Sequence, residues 1–229
     1  MNFLQYITLV LLSLQPSYGD MEPWSERTGR IEIVAKAIDE ASSKATCSDA
    51  YNVAGCERKW PGTKKELALL LVTKGYWESK FAKNVHEGKC RAYECDAQKV
   101  NGKVSHRARS LWQIQKTGLV SPEEYGKMRT SSQESTTLSA EVATRYLSIG
   151  MNKCKTIKGA ISIYGGADSC NWKGAEGRYA FFKSLLGKSE EQFIAERAKQ
   201  KLALEERLSR QEREENNSGK VRAAVKQSN

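Results

Sequence analysis

Proline is scarce, four in 229 residues, and histidine scarcer still, at two. With 39% hydrophobic and 28% charged residues, that composition excludes a collagen-like chain and a grossly disordered one. The mean hydropathy of −0.61 is that of a soluble protein. Strand-type alternation is nearly absent, which leaves a mainly α fold. The N-terminal apolar run, Phe3 to Leu14, stops at 12 residues. A bilayer crossing needs roughly 20. No glycine-rich phosphate loop occurs, since Gly165-Gly166 reads as a helix stop, and no Cys-x-x-Cys or His pair stands at zinc spacing.

Residues 1–19 carry no charged side chain, and small Ser17 and Gly19 after helix-breaking Pro16 suit a signal-peptidase cut before Asp20. This stretch reads as a secretory signal, placing the mature protein outside the cytoplasm, periplasmic or secreted. No Lys or Arg precedes the apolar run, so an uncleaved membrane anchor is the alternative. Cys47, Cys56, Cys90, Cys95, Cys154 and Cys170 form an even set suited to an oxidising space, and pairing between sequence neighbours, 47–56, 90–95 and 154–170, is expected. His86, Cys90, Cys95 and His106 lie close together, but without zinc spacing they support neither a metal nor another cofactor. Reduced thiols are the reading if the signal is not one.

The net charge is +10, from 37 basic and 27 acidic residues, and removal of an uncharged leader leaves it intact. From Lys188 onward ten basic and eight acidic residues give +2, so +8 sits on the body of the chain. Such a surplus attracts any polyanion and does not choose among them.

Helical periodicity runs through residues 22–45, on Ile31, Val34, Ala35, Ile38 and Ala41. Thr63 and Glu66 form a capping box for a leucine-rich helix that runs out near Glu78. Residues 83–108 show no sustained period and predict a long irregular excursion with a short hairpin around Asn101-Gly102. Three more helices follow, with stripes ending at Gly150, Gly165 and Gly187. The globular domain therefore covers 20–187. A charged tail, 188–229, is predicted as a solvated helix over 189–215 or as disordered chain, with 216–229 disordered.

One carboxylate draws attention. Glu78 closes the leucine-rich helix beside Trp77 and near Phe81, where lost hydration would raise its pKa into the range a general acid needs. Glu78-Ser79-Lys80-Phe81-Ala82 resembles the E-S-x-F core of soluble lytic transglycosylases and their lysozyme-superfamily relatives. Ser110-Leu111-Trp112-Gln113-Ile114 resembles their G-L-M-Q-I segment, Ala143-Thr144-Arg145-Tyr146-Leu147 their A-x-x-Y-L helix, and Ile161 to Gly166 their A-x-x-x-Y-N-x-G motif. Any one of these is weak, but four in order over 66–187 are specific.

The resemblance implies a lysozyme-like α domain, monomeric and cofactor-free, cleaving the β-1,4 bond between N-acetylmuramic acid and N-acetylglucosamine in peptidoglycan. Glu78 would then be the catalytic acid and base. Ser79 would bond the substrate or the Glu78 region, Gln113, the Ile114 backbone and Tyr146 would bind sugar, and Tyr164 would orient Glu78. Departures from the pattern matter too. Ser110 and Trp112 replace Gly and Met, placing a bulkier surface beside the sugar, and Gly165 replaces Asn; Trp112 and Gly165 together point toward deacetylated or otherwise modified peptidoglycan. Glu94 or Asp96 would be the second carboxylate of a hydrolytic, goose-type-lysozyme-like site; with one Glu, the sugar's own C6 hydroxyl closes an anhydro ring. A phage-encoded or virion-borne enzyme would use the same chemistry. Trp24, Trp60 and Trp172 read as core residues. The rivals are a non-catalytic wall-binding module and a nucleic-acid binder; the tail's mixed signs argue against the second.

Overall fold

The computed structural model describes residues 1–17, 22–89, 97–100, 103–106 and 108–227. The chain is mainly helical, as its periodicities predict. Asn2 and Gln5 form a capping box for α1 (Phe3–Ser13), the segment expected to be a leader. In the intact chain it packs against α2 (Trp24–Thr46), α3 (Lys64–Ser79) and α9 (Glu190–Gln227), with Ile7, Val10 and Leu11 fully buried. The expected cut before Asp20 falls outside the described residues. Among those described, no helix is long and apolar enough to cross a membrane.

The predicted stripe of α2 is buried throughout, from Ile31 to Ala41. The Thr63–Glu66 capping box starts α3, whose residues from Leu67 to Gly75 are all buried, as befits a central helix apolar on every side. Arg30 of α2 donates to the Phe81 carbonyl at 2.8 Å and, through Nε, to buried Glu22 at 2.9 Å. The chain just beyond α3 is thereby tied to α2.

Short α4 (Lys83–His86) follows, then β1 (Ala97–Val100) paired antiparallel with β2 (Lys103–His106), Val100 opposite Lys103. The residues of the predicted turn, Asn101 and Gly102, lie outside the described residues. His86 is buried, its Nε2 2.8 Å from Thr136 Oγ1, which makes it a packing residue. A second antiparallel pair joins β3 (Ala108–Arg109) to β4 (Ile114–Gln115).

Beyond α5 (Pro122–Lys127) come α6 (Gln133–Cys154), α7 (Ile157–Tyr164) and α8 (Ala175–Gly187). The expected stop at Gly150 is corrected, because α6 continues through it. A Cβ there would lie 2.9 Å from the Ala160 Cα, so this glycine serves close approach of α7. The tail is also corrected, since α9 continues past 215 to Gln227. Phe193 and Leu204 are buried while Ile194 and Leu202 are exposed, so the first part of α9 is docked along one side and solvated on the other.

Cys47–Cys56 and Cys154–Cys170 pair as expected, and Cys90 and Cys95 lie outside the described residues. The second bridge ties the end of α6 to the loop before α8, holding α7 between them. These bonds fit an oxidising compartment and a secreted chain.

Candidate active site

Helix α3 ends at a left-handed Lys80, followed by a second left-handed residue, Phe81. Ser79 stabilises the reversal: its Oγ donates to the Gly75 carbonyl at 3.0 Å and accepts from the Phe81 amide at 3.2 Å. The hydroxyl expected to bond the substrate or the Glu78 region is turned to its own helix end instead.

One turn back, Lys74 shares a helix face with Glu78, as i,i+4 spacing requires. Its side chain has no exposed surface, and Nζ donates to Glu78 Oε1 at 2.8 Å while lying 4.2 Å from the centre of the Tyr164 ring. Burial pulls its pKa from 10.5 down to about 8, against the opposing pull of the Glu78 charge. From α8, Arg178 Nη2 approaches the same Oε1 at 3.4 Å. Trp77 is 43% exposed, and Phe81 packs edge-on against Trp112. The apolar setting expected for Glu78 is therefore replaced by an ionic one, two cations on one carboxylate oxygen. Among the described residues, Oε2 accepts no hydrogen bond.

The opposite wall comes from 108–117. Ser110 and Gln113 are left-handed, a strained turn of the kind that collects at functional sites. Gln113 is tied into that turn, with its amide N–H and Nε2 both donating to the Ser110 carbonyl. Trp112 is fully buried, its Nε1 donating to the Leu71 carbonyl of α3 at 2.9 Å. This corrects the sugar-facing role expected for Trp112: the indole is a strut between α3 and the turn. Tyr164 is corrected as well, because its hydroxyl donates to the Trp112 carbonyl at 2.8 Å and so positions the turn. Burial, then the Glu78 charge, push its phenol well above the ordinary value. Tyr146 of α6 packs edge-on to Tyr164 and bonds Thr117 Oγ1, while Arg145 fixes the same loop through the Leu119 carbonyl and Glu124. Arg145 and the Ser121 backbone hold Glu124 near a pKa of about 2.

These walls enclose a cleft of about 470 Å³ lined by Glu78, Gln113, Ile114, Tyr146 and Tyr164, with Thr117, Gly165 and Arg178. Ser79 and Trp112 are not on its surface, and Glu94 and Asp96 lie outside the described residues. Glu78 is the carboxylate lining it among the described residues. A larger hollow of about 650 Å³ between α1, α2 and α9 holds none of the motif residues, and one of about 610 Å³ beside α6 is lined by Thr144 and Arg145 but lacks Glu78.

Sequence reading missed Lys74, Arg178 and the placement of Trp172. A lysine inside a leucine-rich helix, four residues before the candidate acid, was a usable signal for the first. Nothing in the sequence brings Arg178 to Glu78. Trp172 occupies the place where a side chain at 165 would stand: a Cβ there would meet its ring at 2.6 Å, which accounts for glycine at this position. No family model, no curated protein and no solved structure matches this chain.

Proposed function

We propose that the chain cleaves the β-1,4 bond between N-acetylmuramic acid and N-acetylglucosamine in peptidoglycan, with Glu78 as acid and then base, and that it is a lytic transglycosylase. The observation that supports this reading is convergence: Glu78, Gln113, Ile114, Tyr146 and Tyr164, from separate motifs, line one cleft. With Oε1 engaged by Lys74 and Arg178, Oε2 is the oxygen that hands a proton to the leaving glycosidic oxygen. The C1–O4 bond breaks, the C6 hydroxyl of the muramyl residue closes on C1, and its proton returns to Oε2. Water is not consumed, so one carboxylate suffices. The Gln113 amide and the tyrosine rings supply the polar and stacking surfaces an acetamido sugar requires.

Glu78→Gln keeps the size of the side chain and removes the titrating group. Release of muropeptides from sacculi should fall by roughly 10²–10⁴-fold, with thermal unfolding still cooperative. Mass spectrometry of wild-type products should show 1,6-anhydro ends. Reducing ends would replace the transglycosylase by a hydrolase, and undiminished lysis by the variant would remove Glu78 from the chemistry and favour a wall-binding module.

A further inference from the structure

The cleft holds a charge imbalance that Glu78 does not resolve. Lys74, with no exposed surface, sits 2.8 Å from Glu78 Oε1 and already balances that carboxylate. Arg178 brings a second full positive charge to the same oxygen at 3.4 Å, too long for a strong charge-assisted bond. Among the described residues the group therefore carries one carboxylate and two cations. A guanidinium cannot shed its proton to relieve this. Arg178 Nε is buried and makes no hydrogen bond. The guanidinium carbon lies 4.9 Å from the Trp172 ring and 5.7 Å from the Trp77 ring, so indoles orient its plane, and the residue lines the cleft. A planar, aromatic-flanked guanidinium with an unused Nε–H beside a loosely held Nη2 matches a carboxylate's paired oxygens.

We propose that Arg178 is the receptor for a carboxylate on the glycan, and that the preferred strand is one whose muramyl 3-O-lactyl carboxyl is free because its stem peptide has been removed. This rests on the proposed peptidoglycan reading and names the form of the substrate. Pairing with the lactyl carboxylate supplies the missing negative charge and draws Arg178 from Oε1. Glu78 then keeps a single cation, Lys74, while it takes up and passes on its proton. Binding and activation are coupled through one side chain. A peptide-bearing strand, whose lactyl carbonyl is an amide, offers no charge at that position, and the carboxylates of its stem peptide lie farther from the sugar ring.

The test compares peptide-free glycan strands with the same strands after conversion of their carboxyls to methylamides, alongside neutral chitooligosaccharides. Affinities are read from tryptophan emission in the Glu78→Gln chain, and kcat/KM in the wild type. Free-carboxyl strands should bind roughly ten- to hundredfold more tightly than methylamide strands, the scale of one charge-assisted contact. Arg178→Gln should abolish that discrimination, and Arg178→Lys should restore part of it. Equal affinity for free and methylamide strands overturns the proposal, and because it is measured on the Arg178 chain it needs no variant at that position. Discrimination that survives in a folded Arg178→Gln chain assigns the carboxylate elsewhere and equally overturns it. Failure of the functional reading looks different: the wild type then cleaves none of the three substrates, while the binding comparison still returns an answer.

Discussion

Replacing Lys74 by methionine, an unbranched apolar side chain of similar reach, isolates the cost of burying an ammonium under the candidate site. Lys74 is fully enclosed, and its pKa falls from 10.5 in the unfolded chain to about 8 in the fold, chiefly by desolvation. Between pH 8 and 10 the unfolded chain keeps this proton and the folded chain has released it. The unfolded state then binds more protons, so stability must rise with pH across that window. A depressed lysine pKa thus works in the opposite sense to a stabilising ion pair: the cost is full below the folded pKa and vanishes above the unfolded one. Each pH unit inside the window contributes about 1.4 kcal/mol, or roughly 2 kcal/mol from pH 8 to 10 once the edges are rounded. Tyr164 closes the window from above. Its phenol is raised well above 10.0, so beyond that pH the unfolded chain ionises first and stability falls again.

For a chain of this size, 2 kcal/mol corresponds to roughly 4–8 °C in Tm. Thermal unfolding followed by circular dichroism at half-unit steps from pH 7 to 10, under non-reducing conditions, supplies the comparison. Wild type should gain that increment relative to Lys74→Met as pH rises. The variant's constant offset, set by the relieved burial cost and by leaving Glu78 with Arg178 alone, cancels in the slope. Parallel curves for the two proteins would show that Lys74 is not charged and buried as described, and the ionic account of Glu78 would go with it.

His86 is a second depressed base and acts in the same sense in acid. Burial lowers its pKa from 6.5 to about 3, so below 6.5 the unfolded chain takes up a proton that the folded chain refuses; roughly 3 kcal/mol of stability should be lost between pH 7 and 4, and urea titrations of His86→Gln should show a flatter acid slope. A side chain at 165 collides with Trp172, so Gly165→Ala should lower stability by about 1–3 kcal/mol and shift tryptophan emission as the ring is displaced; an unchanged Tm and spectrum would show that the indole does not occupy that space.

Helices were legible where one face repeats. The stripe of α2 and the Thr63–Glu66 box on α3 are local patterns, set by periodicity and capping within a few residues of each other. Boundaries failed where tertiary contact decides, as at Gly150, whose missing side chain is used for packing against α7 and not for stopping α6. The same division runs through the site. Glu78, Gln113, Ile114, Tyr146 and Tyr164 were named from motifs because each motif is a short local pattern, and they line one cleft. The orientation of Trp112 was misread because an indole carries no mark of which side it faces. Only the packing of α3 against 110–113 turns its N–H to the Leu71 carbonyl.

Charge shows most clearly what composition can and cannot say. The surplus of +10 is visible in the sequence, but a sum carries no positions, and most surface cations are neutralised by solvent or by pairs worth little. What distinguishes Lys74 and Arg178 is that α3 and α8 carry them to one carboxylate oxygen inside a cleft, where water screens them poorly. Lys74 is matched by Glu78. Arg178 is the cation left over, and a cation left over in a poorly screened cleft exerts its charge on whatever enters. If the proposed carboxylate receptor holds, the attraction a basic chain exerts on every polyanion becomes selective there, because the receptor stands beside Glu78. On the proposed reading, the net charge draws an anionic polymer to the surface and the guanidinium beside Glu78 selects how it lies there.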